Sequence, residues 1–299
     1  MVFCFGAYFQ ITAVLSEIRR EPVLKIRIRT PDFGSRTAGL LGDILIVEGR
    51  RKLSPRARLN VKRREILEGK QKFDGYAEQY DAWFMENEHL FTSELRLFEK
   101  ALGDYSGKKM LSVGCGSGLF ESFLEGADVE GIEPSEDMGR IAEKRGVKLL
   151  AFGVIEETEL PDETYDIIYF NGSSSYIEDL AFVYGKCLKA VKPGGKLILL
   201  DVPKESAFGF MYLLGKSLDT YEHEFLEGAM PALPYPLPLA KSGIWHTTEE
   251  KINVLKGLGI EKFSYFQTLI KNPLYTNEEP EEVAEGYKSG GYVAIVAEK

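Results

Sequence analysis

From Lys108 onward, short apolar runs alternate with stretches of helical spacing. Lys109–Val113, Asp128–Ile132, Val147–Phe152 and Tyr165–Phe170 read as strands, with Lys196–Leu200 as a fifth after the turn Pro193-Gly194-Gly195. Between them, Leu119–Glu125, Glu136–Arg145 and Ile177–Val191 have the spacing of helices. Such runs predict a parallel sheet covered on both faces, because a strand buried on both sides has no polar face to show. Thr247 and Glu250 predict a capping box for a helix running to Lys256, and Glu261–Leu269 and Tyr292–Ala297 predict two further strands. The pattern is that of a doubly wound α/β domain.

Before residue 70 the character changes. Leu24, Ile26 and Ile28 alternate with Lys25, Arg27 and Arg29, a period-two strand signal that Asp43–Glu48 could pair with. The stretch RRKLSPRARLNVKRRE that follows is too basic to form a core. Charge separates the two parts. Residues 1–70 hold 15 Lys and Arg against 7 Asp and Glu, whereas residues 71–299 hold 22 against 39. The net charge of -9 over 299 residues thus conceals a basic extension joined to an acidic domain. Three readings of the extension stay open: an arm for RNA or an acidic partner, a solvated appendage, or a segment that the native protein lacks.

Composition narrows the rest. The acidic domain is ill suited to coating a duplex, which leaves residues 1–70 as the one route to nucleic acid. Cys4, Cys115 and Cys187 are too few and too scattered for a disulfide framework, and no metal-ligand spacing is present. No apolar run reaches the roughly 20 residues of a membrane span. Residues 1–15 are apolar but have neither a basic flank nor a small-residue cleavage site, so a cytoplasmic protein is expected.

The candidate chemistry starts at Gly114-Cys115-Gly116-Ser117-Gly118, between the first strand and the element after it. Glycines there let backbone approach a ligand closely. The G-x-G-x-G spacing differs from the G-x-G-x-x-G of dinucleotide dehydrogenases and is weak by itself. Glu133 strengthens it. It closes the next strand 19 residues after Gly114, where a carboxylate can accept both hydroxyls of a ribose.

The ordered set KKMLSVGCGSG, GIEPSEDM, YDIIYFNGSSSYIED and VKPGGKLILL resembles the class I S-adenosylmethionine-dependent methyltransferases, in the branch of the ubiquinone and menaquinone biosynthesis methyltransferases. The resemblance covers roughly residues 73–299. It implies a Rossmann-like, mostly parallel sheet with an antiparallel C-terminal strand, and S-adenosylmethionine as cofactor. It places Gly114, Cys115, Gly116 and Gly118 at the methionine part of the cofactor, Glu133 with Pro134 at the ribose, and Met138 at the adenine. Asn171 and Gly172 come under the methyl-donor region. Upstream, FDGYAEQYDAWF is similar to the family's first helix, and implies closure of Tyr76 and Tyr80 over the cofactor. Phe73, Trp83 and Phe84 share its helical spacing, and for Trp83 and Phe84 core packing competes. Two positions depart from the family: Ser112 stands where an acid is usual, and Val154 where an aspartate usually grips the adenine amino group. Glu156 or Glu157, together with the Ile155 backbone N–H, are the available substitutes.

Residues 202–246 carry no strand pattern but contain Phe208, Tyr212, Tyr221, Tyr235, Trp245 and several prolines. An insertion of that length and composition reads as a partly helical cover over the methyl group, or as an aromatic packing layer. His223 and His246 are candidate bases for an acceptor that must lose a proton. The Asn/Asp-Pro-Pro-Tyr/Phe motif of amino-directed DNA methyltransferases is absent after the fourth strand. The expected activity is methyl transfer to a small molecule. The alternatives are an RNA or protein methyltransferase that uses the basic arm, and a nucleoside-binding relative without catalysis.

Overall fold

The computed structural model describes residues 73–299. The alternating segment at residues 24–29, its proposed partner at 43–48, the basic stretch and Cys4 lie outside the described residues. Two helices come first, α1 (Ala77–Glu86) and α2 (Glu88–Leu102). The sheet and its crossovers follow as β1 (Lys109–Val113), β2 (Asp128–Ile132), α3 (Glu136–Lys144), β3 (Lys148–Ala151), β4 (Tyr165–Asn171), α4 (Leu180–Ala190) and β5 (Val191–Asp201). The segment after β5 contributes α5 (Ala207–Leu218) and α6 (Leu237–Ser242), and the chain ends with α7 (Thr248–Gly257), β6 (Lys262–Thr268), β7 (Ala284–Glu285) and β8 (Tyr292–Glu298).

The eight strands are ordered β3-β2-β1-β4-β5-β8-β6-β7. The first five pair in parallel, with Met110 opposite both Val129 and Ile167. β8 inserts antiparallel between β5 and β6, and β7 adds an antiparallel edge. The near-continuous apolar strands are explained by cover on both faces. Met110, Ile167, Tyr169, Ile198 and Leu200 pack with Leu97 and Phe98 of α2. Their neighbours Leu111, Ile168, Phe170, Leu197 and Leu199 pack with Val183 and Tyr184 of α4 and Leu255 of α7. Strand order reverses between β1 and β4, so the connections leaving these two strands diverge and open a crevice at their C-terminal ends.

Helix starts follow local chemistry. Asp179 accepts from the Phe182 N–H (3.0 Å) to cap α4. In the capping box of α7, Glu250 N donates to Thr247 Oγ1 (3.1 Å) and Thr247 N to Glu250 Oε2 (2.7 Å). The helix expected at Leu119–Glu125 is instead a single 3-10 turn at Glu121–Phe123. Ser117 through Glu121 are all buried in succession, which a helix showing one face to the core cannot achieve. Phe120 is inserted among Phe84, Phe91 and Phe98. The expected turn Pro193-Gly194-Gly195 is the start of β5 itself, held where Gly194 N donates to Lys299 O and Lys299 N to Gly195 O.

Asp201, at the end of β5, is the electrostatic anchor of this framework. Its carboxylate accepts from Lys251 Nζ (2.7 Å), from Ser175 Oγ (2.9 and 3.0 Å) and from the Val202 N–H (2.9 Å). Lys251 and Asp201 side chains are each only 4% exposed. Removing one member of such a pair strands a buried charge, at about 3–5 kcal/mol. Lys251→Met should therefore lower the unfolding free energy measured by urea titration by that amount and move the midpoint down. Lys148→Met, which breaks the exposed Lys148–Asp128 pair, should leave the midpoint unchanged.

Candidate functional site

The crevice encloses a cavity of about 930 Å³. Its floor is the loop after β1. Gly114 sits at φ +71, and a Cβ there would lie 2.6 Å from the Ser173 Cβ, so only glycine fits between the β1 and β4 connections. Gly116 also has positive φ (+57), and its N–H donates to Glu133 Oε2 (2.8 Å). Glu133 Oε1 accepts from the Ser135 N–H (2.9 Å). The strand-end acid therefore locks the glycine loop onto β2 and still presents its remaining lone pairs to the cavity that it lines. Burial pushes the Glu133 carboxyl up to about 7, against the pull of those two N–H donors.

Most of the residues expected at the site share this cavity. Gly114, Gly116, Glu133, Pro134, Met138, Ile155, Glu156, Asn171 and Tyr80 all line it. Lys186 Nζ donates to the Ile155 and Glu156 carbonyls (2.9 and 3.2 Å), which orders the loop after β3. His246 also reaches the cavity. Its Nε2 lies 2.9 Å from the Ile177 carbonyl, and since a carbonyl only accepts, Nε2 carries the proton and Nδ1 the lone pair of the neutral ring.

Four expected residues lie elsewhere. Tyr76 precedes α1 and does not line the cavity; Phe73 does instead, packed edge-on against Tyr80 and Tyr176. Cys115 turns beneath β2, where a Cβ on Gly131 would come within 2.9 Å of its Sγ. Gly118 packs against α3, with a Cβ there only 3.0 Å from the Ala142 Cα, so it serves the close approach of loop and helix. His223 accepts from the Phe225 N–H through Nδ1 (3.2 Å) in the segment between α5 and α6, away from the cavity lining.

Other residues of the site had no signal in the sequence. Glu121 accepts hydrogen bonds from Ser112 Oγ (2.8 Å) and Tyr169 Oη (2.9 Å). It borders a small void beneath the glycine loop, shared with Tyr80, Gly114 and Asn171. A carboxylate thus occupies the space beside Ser112 from nine positions further along the chain. Burial raises its pKa. α1 is clamped over the loop by Ser117 Oγ donating to Asp81 (2.5 Å) and by the Arg145–Asp81 ion pair (2.7 Å).

The comparisons with known proteins agree with this geometry. The family description "Methyltransferase domain" matches residues 111–199. An uncharacterised protein of Methanocaldococcus jannaschii is 31% identical over 229 residues, covering 76% of this chain and 98% of its own. A ubiquinone biosynthesis O-methyltransferase of Photobacterium profundum is 33% identical over 170 residues, 52% of this chain and 70% of its own. A solved S-adenosylmethionine-dependent methyltransferase of Thermotoga maritima, described as a possible histamine N-methyltransferase, superposes with a TM-score of 0.65 at 28% identity, over 77% of this chain and 99% of that one.

The chain belongs to the class I S-adenosylmethionine-dependent methyltransferases.

The lining of this methyltransferase fits its cofactor. The glycines leave room for a close approach of backbone, Glu133 offers an acceptor for ribose hydroxyls, and Val154 and Ile155 provide an apolar slot. Among the described residues the lining includes Glu133, Glu156, Glu178, Asp179 and Glu250 but no Lys or Arg, which suits a positively charged sulfur. No helix among the described residues is long and apolar enough to cross a membrane.

The ionised form of Glu133 is the one that accepts two hydroxyls, and its pKa near 7 sets the sign of a pH effect. Below 7 the free protein holds a proton that cofactor binding must displace, so affinity should rise with pH and level off above about 7. Calorimetry with S-adenosylhomocysteine between about pH 5.5 and 8.5 should show this rise. Glu133→Gln should weaken binding by about tenfold or more and flatten the profile.

Proposed function

We propose that this methyltransferase acts on a small-molecule acceptor. The observation that carries this reading is enclosure. α1 is fixed to the glycine loop through Asp81, and Trp83 Nε1 on the same helix donates to the Leu233 and Pro234 carbonyls of the cover (3.0 and 3.1 Å). The cover is therefore tied down onto α1, with the Tyr212 and Tyr235 rings 5.8 Å apart and Trp83 5.3 Å from Tyr235, and its end contributes Ile244 and His246 to the cavity lining. A polymer needs an open groove, whereas a walled aromatic space suits a molecule that enters whole.

When bound, S-adenosylmethionine supplies a methyl carbon already activated by positive sulfur. The chain's own residues position and shield it. Gly114 and Gly116 admit the cofactor's backbone-facing end, and Glu133 takes the ribose. Met138 and Ile155 flank the adenine slot. Phe73, packed edge-on against Tyr80 and Tyr176, makes an aromatic part of the wall, where a cofactor would be shielded from water. His246, with its Nδ1 lone pair free, is the base available to an acceptor that must lose a proton.

The test uses the full chain and S-adenosylmethionine labelled in the methyl group, incubated with a cell extract split into small molecules, RNA and protein. Label should enter the small-molecule fraction. Label confined to RNA or protein would instead assign the substrate to a macromolecule held by the basic residues 1–70.

A further inference from the structure

Behind Tyr80 and Asn171 the protein buries polar groups that it leaves without partners. Glu94 stands in the middle of the apolar stripe of α2, between Phe91 and Leu97, and is 7% exposed. No hydrogen bond or ion pair reaches its carboxyl. The hydroxyls of Tyr80 and Tyr212 also make no hydrogen bond, and that of Tyr221 is fully buried and unpartnered. These groups share one region. Tyr212 and Tyr292 belong to the same packed cluster as Phe91 and Leu97, which flank Glu94 on α2, and Tyr80 and Tyr221 pack against that cluster. The region also adjoins the cofactor cavity, because Tyr80 lines that cavity and Tyr292 Oη donates to Asn171 Oδ1 (2.8 Å), which lines it too.

Native proteins seldom leave several polar groups together without partners in so largely buried a place, because each unmade hydrogen bond is costly there. A ligand that supplies the partners resolves the cost. Its charge is set by what the described residues present: a carboxylate, several phenols and no free cation. The nearby Lys251 is already committed to Asp201. An ammonium group pairs with a carboxylate, donates to phenolic oxygens and is attracted to aromatic rings. A neutral alcohol or phenol would leave Glu94 unpaired, and a phosphate or carboxylate would face repulsion from it and from the acidic cavity lining.

We propose that the methyl acceptor is a small amine, bound as its cation with the ammonium against Glu94 among Tyr80, Tyr212 and Tyr292; the Glu94 carboxylate takes one ammonium proton, and the freed nitrogen lone pair forms the N–C bond to the methyl carbon as the S–C bond breaks and its electron pair stays on sulfur. This assignment rests on the small-molecule reading above. The groups facing Glu94 are Tyr80 from α1, Tyr212 from α5, Tyr292 from β8 and Asp201 from β5. Burial, and then Asp201, pushes the Glu94 carboxyl up to about 8. A cation pairs with the ionised form only. Amine affinity therefore rises with pH up to about 8, and falls again where the amine itself loses its proton.

Calorimetry on the full chain saturated with S-adenosylhomocysteine tests this with a panel of alkyl- and arylalkylamines, each beside its matched alcohol and carboxylate. The amines should bind about tenfold or more tightly than their matches, and more tightly at about pH 8 than at about pH 6.5. Glu94→Gln should remove both the preference and its pH dependence while S-adenosylhomocysteine affinity is kept. Tyr212→Phe, which keeps the ring, should weaken amine binding several-fold. Saturation with S-adenosylhomocysteine but no amine preference, or a preference that survives Glu94→Gln, overturns the acceptor class and leaves the methyltransferase reading standing. Failure of S-adenosylhomocysteine to bind overturns both.

Discussion

The carboxylate of Asp201 is where the active-site framework is held together. It ends the strand beside the switch point, and three separate parts of the chain converge on it: Lys251 from α7, Ser175 from the turn after β4, and the backbone of Val202 at the start of the cover. In so dry a place a charge persists only when every lone pair is used. The same contacts fix the turn that presents Tyr176 and Ile177 to the cavity and the strand end from which the cover departs. Site and stability thus depend on one buried ion pair.

A second constraint ties the loop to the sheet. The exchange between Gly116 and Glu133 couples a flexible, glycine-rich segment to a rigid strand end. The acid that orders the loop also lines the cavity, so a change at Glu133 alters the loop and the cavity wall together. The departure at Ser112 is resolved nearby. Ser112 itself donates to the Glu121 carboxylate, which puts a buried acid beside position 112. At Val154 the slot stays apolar, and the nearest carboxylate in the lining is Glu156.

Much of the architecture was legible before any coordinates. Strand runs buried on both faces and the capping box of α7 are local features with a fixed period or spacing, and each appears where its pattern predicts. The helix expected after the glycine loop was misread because Leu119, Phe120 and Leu124 look periodic; the phenylalanines of α1 and α2 that receive Phe120 lie more than twenty residues upstream. Cys115 and Gly118 were grouped with the ligand-facing glycines because they lie in the same motif. Only the packing against Gly131 and Ala142 shows which way each position turns. Glu94 did carry a signal, an acid inside an apolar stripe, but periodicity alone does not distinguish an error in the stripe from a functional group.

By itself, then, the sequence determined the fold class, the glycine loop, the strand-end acid and the cofactor they imply. Those depend on neighbours in the chain and on strand and helix periods. The tertiary structure alone decided which of the candidate residues meet. It brought Glu121 beneath Ser112, turned Cys115 and Gly118 away, placed His246 at the cavity and left His223 outside. It also gathered Glu94 with tyrosines from α1, the cover and β8. The reason is physical: these groups meet across nearly the full length of the domain, and only the closing of the sheet's two layers brings side chains so far apart in sequence within reach of one charge.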